Sequence, residues 1–236
     1  MSTSNSAALQ ILSGGAAKGL VDALREAFKN RCRLDIAGEF GAVGLMKDQL
    51  LAGAPCDVVI LTQALVEQLT QGGHALRGSA RALGLVKTGV AVKVTESSPD
   101  VSSPEALKAA LRAAGGIYFP DPVKATAGIH FFKVLKQLGI DAEVASRLRP
   151  FPNGATAMRE MAACREPGLI GCTQVTEILY TPNVRLVANL PLEFELATVY
   201  TAAVCTLAAH PQAAAELVAL LSGAGSASQR AAAGFE

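Results

Sequence analysis

Apolar and polar positions in the first eighty residues repeat a pattern of strand, turn and helix. Short apolar runs predict strands at residues 9–12, 33–37 and 57–61, and apolar residues at helical spacing predict helices at 20–28, 45–50 and 63–71. This β-α-β-α-β-α order predicts an α/β fold with a parallel sheet and helices on both faces. Since such sheets bind ligands beyond the carboxyl ends of their strands, we expect ligand loops there.

The rest of the chain continues with strands and helices. Residues 83–94 form a long extended stretch, and Ser103-Pro104-Glu105 predicts a helix start with Ser as the N-cap. Further apolar runs predict strands at 116–119, 169–172 and 185–190, an extended stretch at 199–207, and helices at 211–221 and 226–235.

Two glycine-containing loops of the first part are candidate ligand loops. The turn over residues 13–19 offers Ser13, Gly15, Ala16 and Lys18, although its glycines can equally serve only a tight strand-to-helix turn. Gly19 follows Lys18, so this is not a phosphate-binding P-loop, and the dinucleotide spacing GxGxxG is also absent. The second loop offers Ala42, Val43 and Gly44 just before a helix, where backbone amides attract anions.

Two more helix starts are candidates in the second part. Thr126 is the expected N-cap of a helix that carries Phe131, Phe132, Leu135 and Leu138, so the amides of Ala127 and Gly128 would point out of its first turn. An ordinary capped helix is the alternative. The other start is formed by Asn153, Gly154 and Ala155, ahead of a helix whose methionines we expect in the core.

Composition narrows the class of protein. With 236 residues, of which 50% are hydrophobic and 17% charged, the chain can form one large domain or two lobes of about 100 residues each. The formal net charge is +1 and no basic stripe is interleaved with aromatic residues, which argues against nucleic acid as a partner. No apolar run approaches the roughly 20 residues of a membrane span, so we expect a soluble protein without membrane insertion.

The N-terminus and the cysteines bear on the compartment. Residues 1–6 are polar and lack the basic and apolar regions of a secretory signal, so we expect a cytoplasmic protein, or a periplasmic one whose signal has been removed. The five cysteines are odd in number and widely spaced, as expected for buried free thiols. Neither CxxC nor HExxH occurs, so we predict no metal site and no cofactor.

The stretch Phe40–Leu61 is similar to the type II periplasmic solute-binding fold, and within it to the molybdate-binding protein family. The resemblance rests on F-G-x-x-G, a glutamine-bearing helix, G-A-P and D-V-V-I-L. Further motifs, S-G-x-A-x-K-G, D-P-x-x-x-x-x-G-I-H-F and Q-x-x-E-I-L, look closer to the branch that includes aconitate isomerase. The resemblance implies two α/β lobes, 1–83 with 200–236 and 84–199, joined by crossovers near 83–90 and 196–203. A ligand cleft between the lobes would close by a hinge motion.

The resemblance also implies a small anion as the ligand, either an oxyanion or an organic carboxylate. It adds Thr88, Thr173 and Gln174 to the candidate ligand residues. The family's serine in the second loop is replaced by Ala42 or Val43, and its tyrosine after residues 169–172 is absent. A tetrahedral molybdate therefore fits less well, and a larger organic anion is easier to accommodate.

Two functions of different class follow from the resemblance. One is a solute-binding protein that delivers the anion to the membrane component of an ABC-type transporter. The other is a cofactor-free isomerase of a tricarboxylic acid, with His130 or Glu177 as the base and Lys18 as the carboxylate partner. Each of these three residues has a structural alternative: a packed core histidine, a capping glutamate and a solvated lysine. A sensing domain of a regulator is disfavoured because no DNA-binding segment accompanies it.

Overall fold

The computed structural model describes residues 8–236; the polar segment over residues 1–6 lies outside the described residues. The strands are β1 (Ala8–Gly14), β2 (Asp35–Gly41), β3 (Val58–Thr62), β4 (Arg81–Lys93), β5 (Gly116–Pro120), β6 (Leu148–Phe151), β7 (Leu169–Gln174), β8 (Val184–Asn189) and β9 (Ala197–Val204). The helices are α1 (Lys18–Cys32), α2 (Val43–Leu51), α3 (Gln63–Gln71), α4 (Pro104–Ala113), α5 (Thr126–Gln137), α6 (Asp141–Val144), α7 (Gly154–Ala163), α8 (Val175–Tyr180), α9 (Pro211–Ser222) and α10 (Ala227–Ala232).

The chain divides into two compact units. The first unit ends at Leu85 and resumes over Val199–Glu236, and the second unit spans Val86–Thr198. In the first unit β1 pairs in parallel with both β2 and β3, and β9 runs antiparallel to β3. Ser13 lies beside Phe40 in this register, so the carboxyl ends of β1 and β2 meet at one edge of the sheet.

The sheet of the second unit is built around β7. β5 pairs in parallel with β7 and with β6, whereas β4 runs antiparallel to both β7 and β8. Phe119 and Phe131 pack edge to face in one core cluster, with ring centroids 5.5 Å apart. Met158 and Met161 belong to a second core cluster, which confirms their predicted burial. Because alternate residues of β5 enter the two clusters, both faces of this sheet are buried.

The α/β class and most helices agree with the sequence prediction. The Ser103 hydroxyl accepts from the amide of Ala106 at 3.2 Å and Pro104 is the first helical residue, as predicted for α4. Two details differ near the second loop. Arg33, predicted as strand, has a left-handed backbone (φ 57°) that ends α1, and β2 instead runs from Asp35 through Gly41. The second loop is therefore shorter than expected, because α2 begins at Val43.

Three short elements, β6, α6 and α8, were not expected from the sequence. α8 has six residues and begins directly after β7, with buried polar residues in its first turn. This lack of a clear apolar period explains why the pattern predicted no helix there. Among the described residues, no helix has the length and apolar character needed to cross a membrane.

Candidate functional site

The first unit brings two of the predicted ligand loops together. β1 ends at Gly14, and a Cβ at that position would lie only 2.8 Å from Val43 Cγ1 and 2.9 Å from Tyr200 Cε1. The loop after β1 is therefore packed directly against the start of α2. Ser13 is fully buried here, and its hydroxyl donates to the carbonyl oxygen of Gly14 at 2.9 Å.

The start of α2 offers backbone donors. Its N-cap is Ala42, and no side chain caps the first-turn amides. Ala42 and Val43 are both buried, and Gly44 is the second residue of the helix. Because helix N-terminal amides lack intrahelical partners and carry the positive end of the helix dipole, this position is suited to an anion.

The predicted first-loop residues Gly15 and Ala16 form a 3-10 turn, Gly15–Ala17, that leads directly into α1. Lys18 follows, with Nζ 3.0 Å from Asp22 Oδ2 and 4.7 Å from the ring centroid of Phe40. The ammonium group is thus paired on its own helix. Contact between Lys18 and a carboxylate ligand stays a prediction.

The second unit concentrates buried polar side chains at the carboxyl end of β7. They are Thr88 on β4, Thr173 and Gln174 on β7, and Thr176 and Glu177 on α8. Thr88 lies directly opposite Gln174 in the β4–β7 register. We refer to these five residues as the β7 polar cluster.

The carboxylate of Glu177 is the centre of hydrogen bonding in this cluster. The Thr173 hydroxyl donates to Glu177 Oε2 at 2.6 Å, and the backbone amide of Ala155 donates to Oε1 at 3.3 Å. Burial raises the pKa of Glu177, while hydrogen bonds from Thr173 and from the amides of Ala155 and Gly154 act in the opposite direction.

Glu177 takes the position at the start of α7 that the sequence suggested for a ligand. A Cβ at Gly154 would lie 2.0 Å from Glu177 Oε2 and 1.9 Å from Thr173 Oγ1, so only glycine leaves room for the carboxylate. Asn153 is a conventional N-cap, since its Oδ1 accepts from the amide of Thr156 at 2.8 Å. The α7 start therefore already has an anion of its own, and direct contact of Asn153, Gly154 and Ala155 with a ligand stays a prediction.

The side chains of three other members of the cluster have no hydrogen-bond partner among the described residues. Gln174 is 3% exposed, and neither its side-chain oxygen nor its side-chain nitrogen makes a hydrogen bond. The buried hydroxyls of Thr88 and Thr176 are likewise unpartnered. Since more than about nine-tenths of buried polar groups in proteins are hydrogen-bonded, this concentration of unpartnered atoms singles out the site.

The α5 start differs from its prediction. Thr126 is the first helical residue and not the N-cap; the N-cap is Ala125, which makes no side-chain cap. Asp121 Oδ1 instead accepts from the amides of Val123 and Lys124 in the preceding turn, so the chain enters the helix one residue early. A ligand role for Thr126 and for the buried Ala127 stays a prediction.

Gly128 has a packing role. A Cβ there would lie 2.2 Å from the carbonyl oxygen of Pro120 and 2.3 Å from that of Asp121. This explains the glycine of the D-P-x-x-x-x-x-G motif without a ligand, because the helix approaches the end of β5 at backbone distance.

His130, the first candidate base, makes a structural contact. Its Nε2 lies 2.8 Å from the carbonyl oxygen of Phe194, which ends the 3-10 turn Leu192–Phe194. An Nε2–H group that donates to this carbonyl fixes the ring and ties α5 to the turn. Proton transfer by His130 stays a prediction. Glu177, the second candidate base, contacts the candidate ligand residues Thr173 and Ala155.

The cysteines are all free, and two of them are neighbours. Cys56 and Cys205, which are 149 positions apart, have their sulfur atoms 3.4 Å apart at the start of β3 and the end of β9. The contact with Cys56 and burial raise the pKa of Cys205. No group of three or more metal-binding side chains occurs within residues 8–236.

Sequence reasoning missed Thr176 as a candidate. The available signal was the polar run Thr173-Gln174 and Thr176-Glu177 directly after a buried strand. This polar run becomes a cluster only because α8 forms. Its first turn brings the Glu177 carboxylate within hydrogen-bond distance of Thr173, four residues earlier in the chain.

Two α/β units, one of which collects buried polar residues at the carboxyl end of the parallel strand β7, are typical of a ligand-binding class of protein. The sequence pattern of the bacterial extracellular solute-binding proteins matches residues 9–236, and this chain belongs to that family. An aconitate isomerase from Pseudomonas sp is 25% identical over 223 residues, which are 90% of this chain and 81% of that protein.

Solved structures share the fold. The periplasmic molybdate-binding protein of Azotobacter vinelandii superposes with a TM-score of 0.79 at 19% identity, over 97% of this chain and 98% of that one. A sulfate-binding protein of Mycobacterium tuberculosis H37Rv superposes with a TM-score of 0.73 at 16% identity, over 97% and 86%. At these identities the likeness establishes the fold alone.

Proposed function

We propose that this protein binds a small anion, an oxyanion or an organic carboxylate, as the solute-binding component of an ABC-type uptake system. Membership of the extracellular solute-binding family supports binding as the activity. The molybdate-binding and sulfate-binding proteins of the same fold support an anion as the ligand. The membrane component of the transporter would be the protein partner.

The observation that carries this proposal is the β7 polar cluster. Gln174, Thr88 and Thr176 contribute buried polar atoms that have no partner among the described residues. Leaving such atoms unpaired costs about 1–3 kcal/mol each, and a bound ligand removes that cost. In the first unit, the uncapped amides at the start of α2 are a separate candidate set of anion donors.

The test is a thermal-melt panel with molybdate, tungstate, sulfate, phosphate, citrate, and cis- and trans-aconitate, with chloride at equal ionic strength as the control. A ligand that binds only the folded protein stabilises it by RT ln(1 + [L]/Kd), about 2.7 kcal/mol at a hundredfold excess over Kd. At least one anion is expected to raise the melting temperature. No shift with any of them contradicts the proposal.

A matched pair of variants then tests the cluster. Thr176→Val removes an unpartnered hydroxyl and should weaken binding of the active anion about fivefold, since a hydrogen bond contributes about 1 kcal/mol. Thr181→Val is the control, because the Thr181 hydroxyl already donates to the carbonyl oxygen of Glu177 at 2.7 Å. Equal dissociation constants for both variants would exclude Thr176 from the ligand site.

A cofactor-free aconitate isomerase is the second candidate, and Glu177 is the observation that favours it. A buried carboxyl group with a raised pKa can exchange a proton closer to neutral pH than an ordinary one. It would remove a proton from the methylene carbon of aconitate and return it to the former alkene carbon as the double bond shifts. The aconitate isomerase relative supports this reaction.

Proton NMR of trans-aconitate incubated with the protein in D₂O measures the reaction directly. If Glu177 is the base, Glu177→Gln loses the conversion and the deuterium incorporation, while His130→Ala keeps both. The reverse pattern assigns the base to His130. No conversion by the unaltered protein removes the isomerase and leaves the binding proposal in place.

A further inference from the structure

The side-chain amide of Gln174 indicates which class of anion fits the β7 polar cluster. Gln174 is the last residue of β7, and its side-chain nitrogen and oxygen are both buried without a partner among the described residues. The nitrogen is a hydrogen-bond donor and the oxygen an acceptor. Because both atoms are unpartnered, the amide needs one donor and one acceptor whichever way it is turned.

The surroundings of Gln174 include other polar groups of the cluster. Thr88 lies directly opposite Gln174 in the β4–β7 register, whereas Thr173 and Glu177 pair with each other on the face of the sheet that packs against α7. The unpartnered hydroxyls of Thr88 and Thr176 can each donate or accept, so they adapt to either kind of partner. A ligand with acceptor oxygens only would leave the Gln174 side-chain oxygen without a donor.

We propose that the anion bound at the β7 polar cluster carries a hydroxyl hydrogen of its own, as a hydroxycarboxylate does, and donates it to the side-chain oxygen of Gln174. This inference rests on the proposed anion-binding function and names its ligand class. Fully ionised tetrahedral oxyanions such as molybdate and sulfate have no such hydrogen and would bind more weakly. If a water molecule were the partner of the Gln174 amide, it would pair with the amide whichever anion is bound. The protein would then show no preference for anions that carry a hydroxyl.

Two pairs of anions that differ mainly by one hydroxyl test the proposal by isothermal titration calorimetry near pH 8. Citrate carries a hydroxyl that tricarballylate lacks, and hydrogen phosphate carries one that sulfate lacks. Sites built to pair a ligand hydroxyl can reject analogues without it by about 10⁴- to 10⁵-fold. The expected result is tighter binding of citrate than of tricarballylate by about tenfold or more, with hydrogen phosphate preferred over sulfate in the same direction.

Gln174→Met tests whether Gln174 reads the hydroxyl. Methionine keeps the approximate length of the side chain and removes both polar atoms, so the preference within each pair should shrink to about twofold or less. Its melting temperature without ligand should equal or exceed that of the unaltered protein, since an unpaired buried amide has been removed. Thr181→Val is the control that should keep the preference, because the Thr181 hydroxyl, directly after α8, already donates to the carbonyl oxygen of Glu177.

The outcomes separate this inference from the function on which it rests. Tighter or equal binding of sulfate and tricarballylate would overturn the inference and leave anion binding intact. A preference that Gln174→Met retains would overturn the role of Gln174. Absence of binding by all four anions and by molybdate would contradict the proposed function, and the inference with it.

Discussion

Each unit of this protein buries one carboxylate at the start of a helix, and the two carboxylates have different surroundings. In the first unit Asp57 Oδ2 accepts from the amide of Gln10 at 2.7 Å and Oδ1 accepts from the amide of His210 at 2.8 Å, just before α9. In the second unit Glu177 accepts from Thr173 and Ala155, beside polar atoms that have no partner. Within residues 8–236 these are the two buried acidic side chains.

Their hydrogen-bond partners distinguish a structural carboxylate from a candidate functional one. Asp57 joins β1, β3 and α9 and leaves little unpaired around it, which is typical of a group that holds a fold together. Glu177 lies in a cluster in which the side chains of Gln174, Thr88 and Thr176 lack hydrogen-bond partners. Unpaired buried polar atoms lower the stability of the protein, and they are typical of a functional site.

The largest loss of stability is expected when the structural carboxylate, Asp57, is replaced. Asp57→Asn places an amide NH₂ against a backbone amide and weakens two short charge-assisted hydrogen bonds, so the free energy of unfolding should fall by about 3 kcal/mol. Urea denaturation followed by circular dichroism measures this change. Glu177→Gln, the same chemical change in the second unit, is the control and should lose less stability. Equal losses would remove the distinction between the two carboxylates.

A matched pair of glycine substitutions gives the next largest effect. Gly154→Ala drives a methyl group into Glu177 Oε2 and Thr173 Oγ1 and should lower the free energy of unfolding by about 2 kcal/mol. Gly14→Ala in the first unit meets Val43 Cγ1 and Tyr200 Cε1 at the longer distances of 2.8 and 2.9 Å and should cost less. Urea midpoints that rank the two variants in the opposite order would contradict this account of the α7 start.

Glu177 should also make the stability of the protein depend on pH. Because burial raises the pKa of Glu177, the folded protein holds that proton more tightly than the unfolded chain. The stabilisation is complete below the ordinary pKa of 4.5 and is lost as the pH rises through the folded value, by up to about 1.4 kcal/mol per pH unit.

Glu177→Gln cannot ionise and should lack this loss. The difference in the free energy of unfolding between the variant and the unaltered protein, measured by urea denaturation at several values above pH 4.5, should therefore rise with pH in favour of the variant. Other titrating groups are common to both proteins and cancel. Parallel profiles would mean that Glu177 titrates normally in the folded state.

The smallest expected effect concerns Lys18. Its ion pair with Asp22 joins side chains that are 33% and 30% exposed at the i, i+4 spacing, so Lys18→Met should change the free energy of unfolding by about 0.5 kcal/mol or less. The same variant, titrated with citrate by calorimetry, tests the predicted carboxylate contact. A tenfold weaker affinity at nearly unchanged stability would assign Lys18 to the ligand, and an unchanged affinity would exclude it.

Much of the fold could be predicted from apolar periodicity. The alternation of strands and helices and the Ser103 cap of α4 follow from local propensities that the tertiary structure reinforces. The Thr126 cap is wrong for a local reason that competes with it, since Asp121 organises the preceding turn. α8 escaped prediction because its buried first turn is polar and only six residues make the helix.

The α/β class, the glycine-rich loops and the resemblance to a solute-binding family could be predicted from the sequence, because they depend on residue types and spacings along the chain. The tertiary structure brings Glu177 to Gly154 and places Thr88 opposite Gln174 on the neighbouring strand. It also decided that Cys56 meets Cys205. Residues so far apart in the chain meet only through strand pairing and burial, and burial is what turns an ordinary glutamine or glutamate into a group that needs a partner.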